Sequence, residues 1–133
     1  MILLDTSALF AVGTAEDRFH GEAIRALEAL RESGEDLLVH AYVLGETFAL
    51  LHRRMGLGAA LEASDAVSDV TTVPVDRRLH DRGIAWLREH PGIRTSLVDA
   101  VSFVVMKERG IEEAFAFDPD FEKAGFRLYR ASR

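Results

Sequence analysis

The sequence predicts an α/β sandwich around a mainly parallel sheet. Three observations predict it: short apolar runs recur along the chain, helix-length patterns lie between them, and no change of composition divides the series. The 133 residues contain only three prolines, no Ser/Gly-rich block, no like-charge block and no repeat. A chain of this length hides about 70% of the surface its unfolded form exposes. The expectation is therefore a single domain over residues 1–133 with one core.

Taken in order, "ILL" before Asp5 reads as the first strand, "LLVHA" (37–41) as the second and "TTVPV" (71–75) as the third. "AFAF" (114–117) is the fourth, with "FRLY" (126–129) as a fifth. Among the helices, "DRFHGEAIRALEALRES" places Ala23, Leu27 and Leu30 at helical spacing and stops before Gly34, a glycine exit. "YVLGETFALLHRRM" and "LGAALEASDAV" come next, followed by "DRRLHDRGIAWLREH", which ends near Pro91. "LVDAVSFVVMKERG" is apolar nearly all round and ends at Gly110, which predicts burial between other elements.

Composition narrows the function. There is no cysteine, so disulfides and thiolate metal sites are excluded. The N-terminus lacks a basic region followed by an apolar signal segment, and the longest apolar stretch, "LVDAVSFVVM", is too short for a bilayer and carries Asp99. These features predict a soluble, cytoplasmic protein with no membrane partner. The formal charge of −6 argues against holding nucleic acid by bulk electrostatics. It leaves open an acidic site that handles phosphodiesters with divalent cations.

Most of the 22 acidic residues sit on polar helix faces. Four do not. Asp5 is the only acid before Glu16, Glu46 the only one between Asp36 and Glu62, and Asp99 the only one between Glu89 and Glu108, while Asp118 ends the run "AFAF". Ligands of a parallel α/β sheet gather at the carboxyl ends of its strands, where Asp5 and Asp118 are predicted to project. Glu46 has Tyr42, Val43, Ala49 and Leu50 as helical neighbours, so its face is largely apolar. Two carboxylates about 4 Å apart repel by roughly 4 kcal/mol at an effective dielectric near 20. A divalent ion relieves that repulsion, and oxygen ligands without cysteine or paired histidines favour Mg²⁺ or Mn²⁺ over zinc. The implied chemistry is phosphodiester hydrolysis.

Helix capping competes with this reading. Asp is a favoured N-cap, so Asp5 can cap a helix starting near Ser7; "SLVD" fits a capping box around Asp99; and "DPDF" places Asp118 before Pro119 as first helical residue. Glu46 is mid-helix and has no such role. Capping and metal binding are compatible, because a helix that starts at a strand end aims its cap into the same crevice. Asp120 is the best additional ligand, whereas Glu16, Asp17 and Asp76 read as helix starts. The histidines at 20, 40, 52, 80 and 90 show no ligand spacing and read as structural or surface residues.

"LLDTSAL", "GETFALL", "SLVDAVSFVVMKERGI" and "FDPDFEKAGF" resemble, in order and spacing, the acidic motifs of PIN-domain proteins, particularly the VapC-type toxins of toxin–antitoxin pairs. The resemblance covers essentially the whole chain. It implies a three-layer α/β/α sandwich on a parallel five-stranded sheet, Mg²⁺- or Mn²⁺-dependent endoribonuclease activity, a VapB-like antitoxin as partner, and a homodimer. It carries the family's acids onto Asp5, Glu46, Asp99 and Asp118, with Ser7 as the supporting hydroxyl. One position departs: relatives often have Thr or Ser where this chain has Ala116. Arg53 and Arg54 are candidates for phosphate contacts, against the alternative of exposed arginines at a helix end; Arg127, Arg130 and Arg133 are equally open.

Rival functions are distinguishable. A receiver-type phosphoacceptor domain needs a lysine after a late strand, whereas Lys107 and Lys123 lie in helix patterns. A haloacid-type phosphatase needs a second Asp two residues after Asp5, where Ser7 stands. The stronger rival is a non-catalytic PIN domain that binds RNA or a protein partner, and metal-dependent cleavage separates it from the enzyme.

Overall fold

The computed structural model describes residues 1–131. Five strands, β1 (Ile2–Leu4), β2 (Leu37–His40), β3 (Thr71–Val73), β4 (Glu113–Phe115) and β5 (Arg127–Leu128), form one sheet in the order β3-β2-β1-β4-β5. Every pairing is parallel, with Leu3 opposite both Leu38 and Ala114. The connections are helical: α1 (Thr6–Gly13), α2 (His20–Ser33), α3 (Ala41–Met55), α4 (Leu57–Ala66), α5 (Arg77–Glu89), α6 (Leu97–Arg109) and the single turn α7 (Asp120–Lys123).

The strands are shorter than their apolar runs, for identifiable reasons. β1 offers only Ile2 to Leu4 for pairing, so β4 pairs over 113–115 rather than 114–117. The amide of Phe117 instead donates to the Ser7 hydroxyl at 2.9 Å. β3 stops before Pro74, which has no N–H for the ladder. Ala41 opens α3 instead of closing β2. β5 keeps two residues of the expected four. Asp17 does not start α2; its carboxylate accepts the Phe19 amide at 2.9 Å in the turn before it. Asp76 does cap α5, accepting the Leu79 amide at 2.8 Å.

Alternation along the strands builds two cores. Ile2, Leu4, Val39 and Phe115 pack with α1, α2 and α3, while Leu3, Leu38, Val73 and Ala114 pack with α5, α6 and Phe121 of α7. This is the α/β/α sandwich with a five-stranded parallel sheet that the sequence motifs imply. Helix α6 is buried from Asp99 through Met106, as its apolar circumference requires. It stops at Gly110, whose φ of 67° lies in the left-handed region. Among the described residues no helix is long and apolar enough to cross a membrane.

This topology makes a crevice. β1 leads into α1 on one face, and β4 leads toward α7 on the other, so the chain diverges beyond the carboxyl ends of these neighbouring strands. The Asp5 amide donates to the Phe115 carbonyl at 3.0 Å and fixes the crevice wall.

Close contact between α5 and α6 sets the position of Asp99. A Cβ on Gly83 would lie 2.7 Å from Val101 Cγ2 and 3.2 Å from Leu97 Cδ1. Val101 is fully buried, and its β-branched side chain has little rotamer freedom. We expect Gly83→Ala to destabilise the protein by about 1–2 kcal/mol in urea unfolding, overpacking outweighing the gain in helix propensity. Gly45, within α3, has open space around its Cβ position. Gly45→Ala should stabilise by about 0.5–1 kcal/mol in the same measurement.

Candidate active site

Asp5 is only 2% exposed. It caps α1: Oδ2 accepts the Ser7 amide at 3.0 Å and the Ser7 hydroxyl at 2.6 Å. Its other oxygen, Oδ1, is buried and has no hydrogen-bond partner among the described residues. Burial, and then the charge of Asp118, push the Asp5 carboxyl up to about 6 against the lowering effect of Ser7.

Asp99 lies in the first turn of α6, which Ser96 caps by accepting the Asp99 amide at 3.1 Å. The capping box is only half formed, because the Asp99 carboxylate takes the Thr95 hydroxyl instead, at 3.1 Å. Burial raises the Asp99 carboxyl most, the charges of Asp5, Asp118 and Glu46 add to it, and the result is about 8.

Asp118 follows the fourth strand by three residues and accepts the Asp120 amide at 2.9 Å, with Pro119 held at helical dihedrals. Its cap is thus one residue displaced from the expected register. Carboxylate oxygens of Asp99, Asp118 and Asp120 lie within 4.8 Å of one another. Asp120 also pairs with Lys123 at 3.5 Å. Glu46, half-buried on α3, stands outside this trio but near enough for its charge to act on Asp99.

Ser7 ties the two halves of the crevice. Its hydroxyl donates to Asp5 and accepts the Phe117 amide from the loop that carries Asp118. The same loop is clamped by stacked rings: Phe19 and Phe117 lie 4.6 Å apart at 4°, Arg18 covers Phe19, and Arg130 covers Phe117. Ala116 is fully buried, and its carbonyl accepts from Arg130 at 3.1 Å.

The remaining arginine candidates fall elsewhere. Arg53 and Arg54 are exposed in the last turn of α3, about 10 Å further along the axis than Glu46, and Arg54 lies over Phe10. Arg127 pairs with Glu112 and Glu113, Arg130 with Glu22, and Arg133 lies outside the described residues. A cleft of about 660 Å³ opens instead between the acids and the loop after α5, where Arg94, Thr95 and His90 line it. Sequence reasoning passed over Arg94 and Thr95 and read His90 as structural or surface. The available signal was an arginine and two hydroxyls in "RTSLVD", immediately before the one isolated acid of that region. His40 and His80 are structural, as expected: His40 is buried against Ser102 at 2.8 Å, and His80 meets the Tyr42 hydroxyl at 2.6 Å.

This geometry gathers carboxylates at one point, which is what a divalent ion requires of a site, and such an ion is what a phosphodiester under attack requires. Comparison with known proteins agrees. The family model of the PIN domain matches residues 2–127. The 23S rRNA-specific endonuclease VapC20 of Mycobacterium tuberculosis, from strains CDC 1551 / Oshkosh and H37Rv, is 41% identical over 129 residues, covering 95% of each chain. A crystal structure of Mycobacterium tuberculosis VapC20, described as a sarcin–ricin loop cleaving toxin, superposes with a TM-score of 0.88 at 39% identity, covering 98% of this chain and 100% of that one. The chain belongs to the PIN-domain family, among its VapC-type members.

Proposed function

We propose that this chain is a metal-dependent endoribonuclease that hydrolyses RNA phosphodiester bonds as the toxin of a VapBC-type pair. The observation that carries the reading is the convergence of Asp5, Asp99 and Asp118, each bonded in place, with Glu46 acting on Asp99 through its charge. In this reading those four acids are the catalytic and metal-holding set, and Asp120 is a further ligand. The buried, partnerless Asp5 Oδ1 and the all-carboxylate trio fit a hard cation, and Mg²⁺ or Mn²⁺ is the ion we assign. When bound, such an ion supplies Lewis-acid stabilisation to the phosphate under attack.

The chain's own part is positioning. Ser7 orients Asp5, Thr95 orients Asp99, and the Asp120 amide orients Asp118. The hydroxyl absent at Ala116 is offset by Ser7, which already holds this loop through the Phe117 amide, and that favours the enzyme over a non-catalytic binding domain. RNA must be splayed for one phosphate to reach the crevice, so loops suit it better than A-form duplex. Similarity to a 23S rRNA endonuclease makes ribosomal RNA, and the sarcin–ricin loop in particular, the first substrate to test. The reading also includes one PIN domain spanning the chain, a homodimer, a VapB-like antitoxin and a cytoplasmic setting.

Electrostatics gives the first test. With their carboxyls raised to about 6 and about 8, Asp5 and Asp99 make the folded protein bind more protons than the unfolded chain. Stability in chelator should therefore fall as pH rises toward 8. His40, pushed down to about 4 by burial, acts oppositely and fades above its usual 6.5, so from 6.5 to 8 the change is dominated by Asp99. Across that range wild type should lose about 1–2 kcal/mol, and Asp99→Asn should lose much less. Denaturant melts at closely spaced pH values read both.

Metal should reverse the loss. Free Mn²⁺ at about 100 times its dissociation constant adds roughly 2.7 kcal/mol to the native state. A melting temperature that ignores millimolar Mn²⁺ would remove the shared site.

Cleavage of loop RNA should stop in EDTA and return with Mg²⁺ or Mn²⁺. Asp118→Asn keeps a side-chain oxygen to accept the Asp120 amide, yet cleavage should fall by about an order of magnitude or more. Wild-type rates for Asp99→Asn and Asp118→Asn at limiting metal would reduce these acids to local hydrogen-bonding roles.

A further inference from the structure

The acids account for part of the cleft lining and leave a further wall of it unexplained. That wall is the loop after α5, which brings His90, Arg94 and Thr95 to the same space as Asp99, Asp118 and Asp120. Thr95 is engaged by Asp99. Arg94 is exposed and forms no ion pair among the described residues, in a chain whose other arginines frequently do.

His90 is held unusually firmly for a residue at a helix end. Its ring lies flat on Trp86, with centroids 4.0 Å apart at 13°. Its Nδ1 bonds to the Trp86 carbonyl at 2.8 Å; the carbonyl can only accept, so that nitrogen carries a proton and the ring cannot rotate freely. Trp86 in turn packs on Phe103 at 4.9 Å, and Phe103, 1% exposed, meets Phe121 edge-on at 4.9 Å. The imidazole is therefore the outermost member of an aromatic row anchored in the core.

A rigid π-surface beside an uncommitted guanidinium is the combination that single-stranded nucleic acid uses, with bases stacking on rings and phosphates meeting cations. The need is acute here, because a chain of net charge −6 must admit a polyanion to a cleft walled by carboxylates. We propose that His90 is a stacking platform for an unstacked nucleobase beside the scissile phosphate, and that Arg94 grips a neighbouring phosphate. The proposal rests on the endoribonuclease reading and adds to it the residues that select splayed RNA.

Steady-state cleavage of a hairpin RNA carrying the sarcin–ricin loop, with Mg²⁺ or Mn²⁺, tests both. Arg94→Ala should raise KM about tenfold with kcat within about threefold, and make the dependence of log(kcat/KM) on log[salt] shallower by about one. His90→Ala should raise KM by about 5- to 150-fold, the range of one lost base stack. His90→Phe keeps the ring and should restore KM to within about threefold of wild type. Removing the base at the nucleotide beside the cleavage point should weaken wild type and His90→Phe by the same factor, and leave His90→Ala unaffected. Unchanged KM in both alanine variants of an enzyme that cuts overturns the rim alone. Equal damage from His90→Phe and His90→Ala reduces His90 to a structural role and overturns the platform. Wild type that cuts no RNA with either metal overturns the endoribonuclease reading and this proposal together.

Discussion

Carboxylates buried against one another govern this molecule. Asp5 and Asp99 are both withdrawn from water at the carboxyl edge of the sheet, and Asp118 and Glu46 add charge to the same region. The chain brings almost no cation to answer them. Lys123 reaches only Asp120, and His40, at the end of the strand beside Asp5, is kept neutral by burial with its pKa near 4. Asp5 is instead given two donors by Ser7, Asp99 one by Thr95 and Asp118 one by the Asp120 amide, which fix direction without cancelling charge. Compensation has to come from outside the chain, and in the reading proposed above a divalent ion supplies it before the anionic substrate is admitted. Such an arrangement costs stability in the empty protein and is the usual companion of a functional site.

The rest of the fold bears that cost. Helix α6 carries Asp99 at its first turn, and eight buried residues in succession lock it between the sheet and α5. Gly83 permits the close approach of the two helices, and the row Phe121–Phe103–Trp86–His90 extends the packing outward to the cleft. Across the sheet, the stack of Phe19 and Phe117 between two arginines steadies the loop before Asp118. The site is thus held by apolar and aromatic contact on both sides of the plane in which its charges lie.

Much of this was legible in the sequence, and the reasons differ by residue. Asp5, Glu46 and Asp99 stood out because each is an acid isolated in apolar surroundings, a local property that survives folding. The parallel sheet followed from strand and helix periods alone. Strand ends did not: β4 is cut to 113–115 by the length of β1, a partner more than a hundred residues away. His90 and Arg94 were missed for a related reason. The only local hint is the arginine and two hydroxyls before the isolated acid, and it takes the packing of α5 on α6 to bring "HPGIRTS" to the acids. Arg53 and Arg54 lie exposed at the end of α3, displaced along the helix axis from Glu46, which is the alternative the sequence held beside phosphate contact.

Ser7 spends both halves of one hydroxyl at once, its hydrogen on Asp5 and a lone pair on the Phe117 amide 110 positions later. No aliphatic side chain can do either, and an amide or carboxylate has a different reach. Threonine is the one other natural residue with a hydroxyl at that distance from the backbone. The exposed loops between the two ends of this bond can change in length and sequence without touching it, because the contact depends only on where its two ends lie. Descent with modification can therefore remodel most of such a chain's exterior, and with it the rim that chooses an RNA, while position 7 stays confined to two letters of the alphabet.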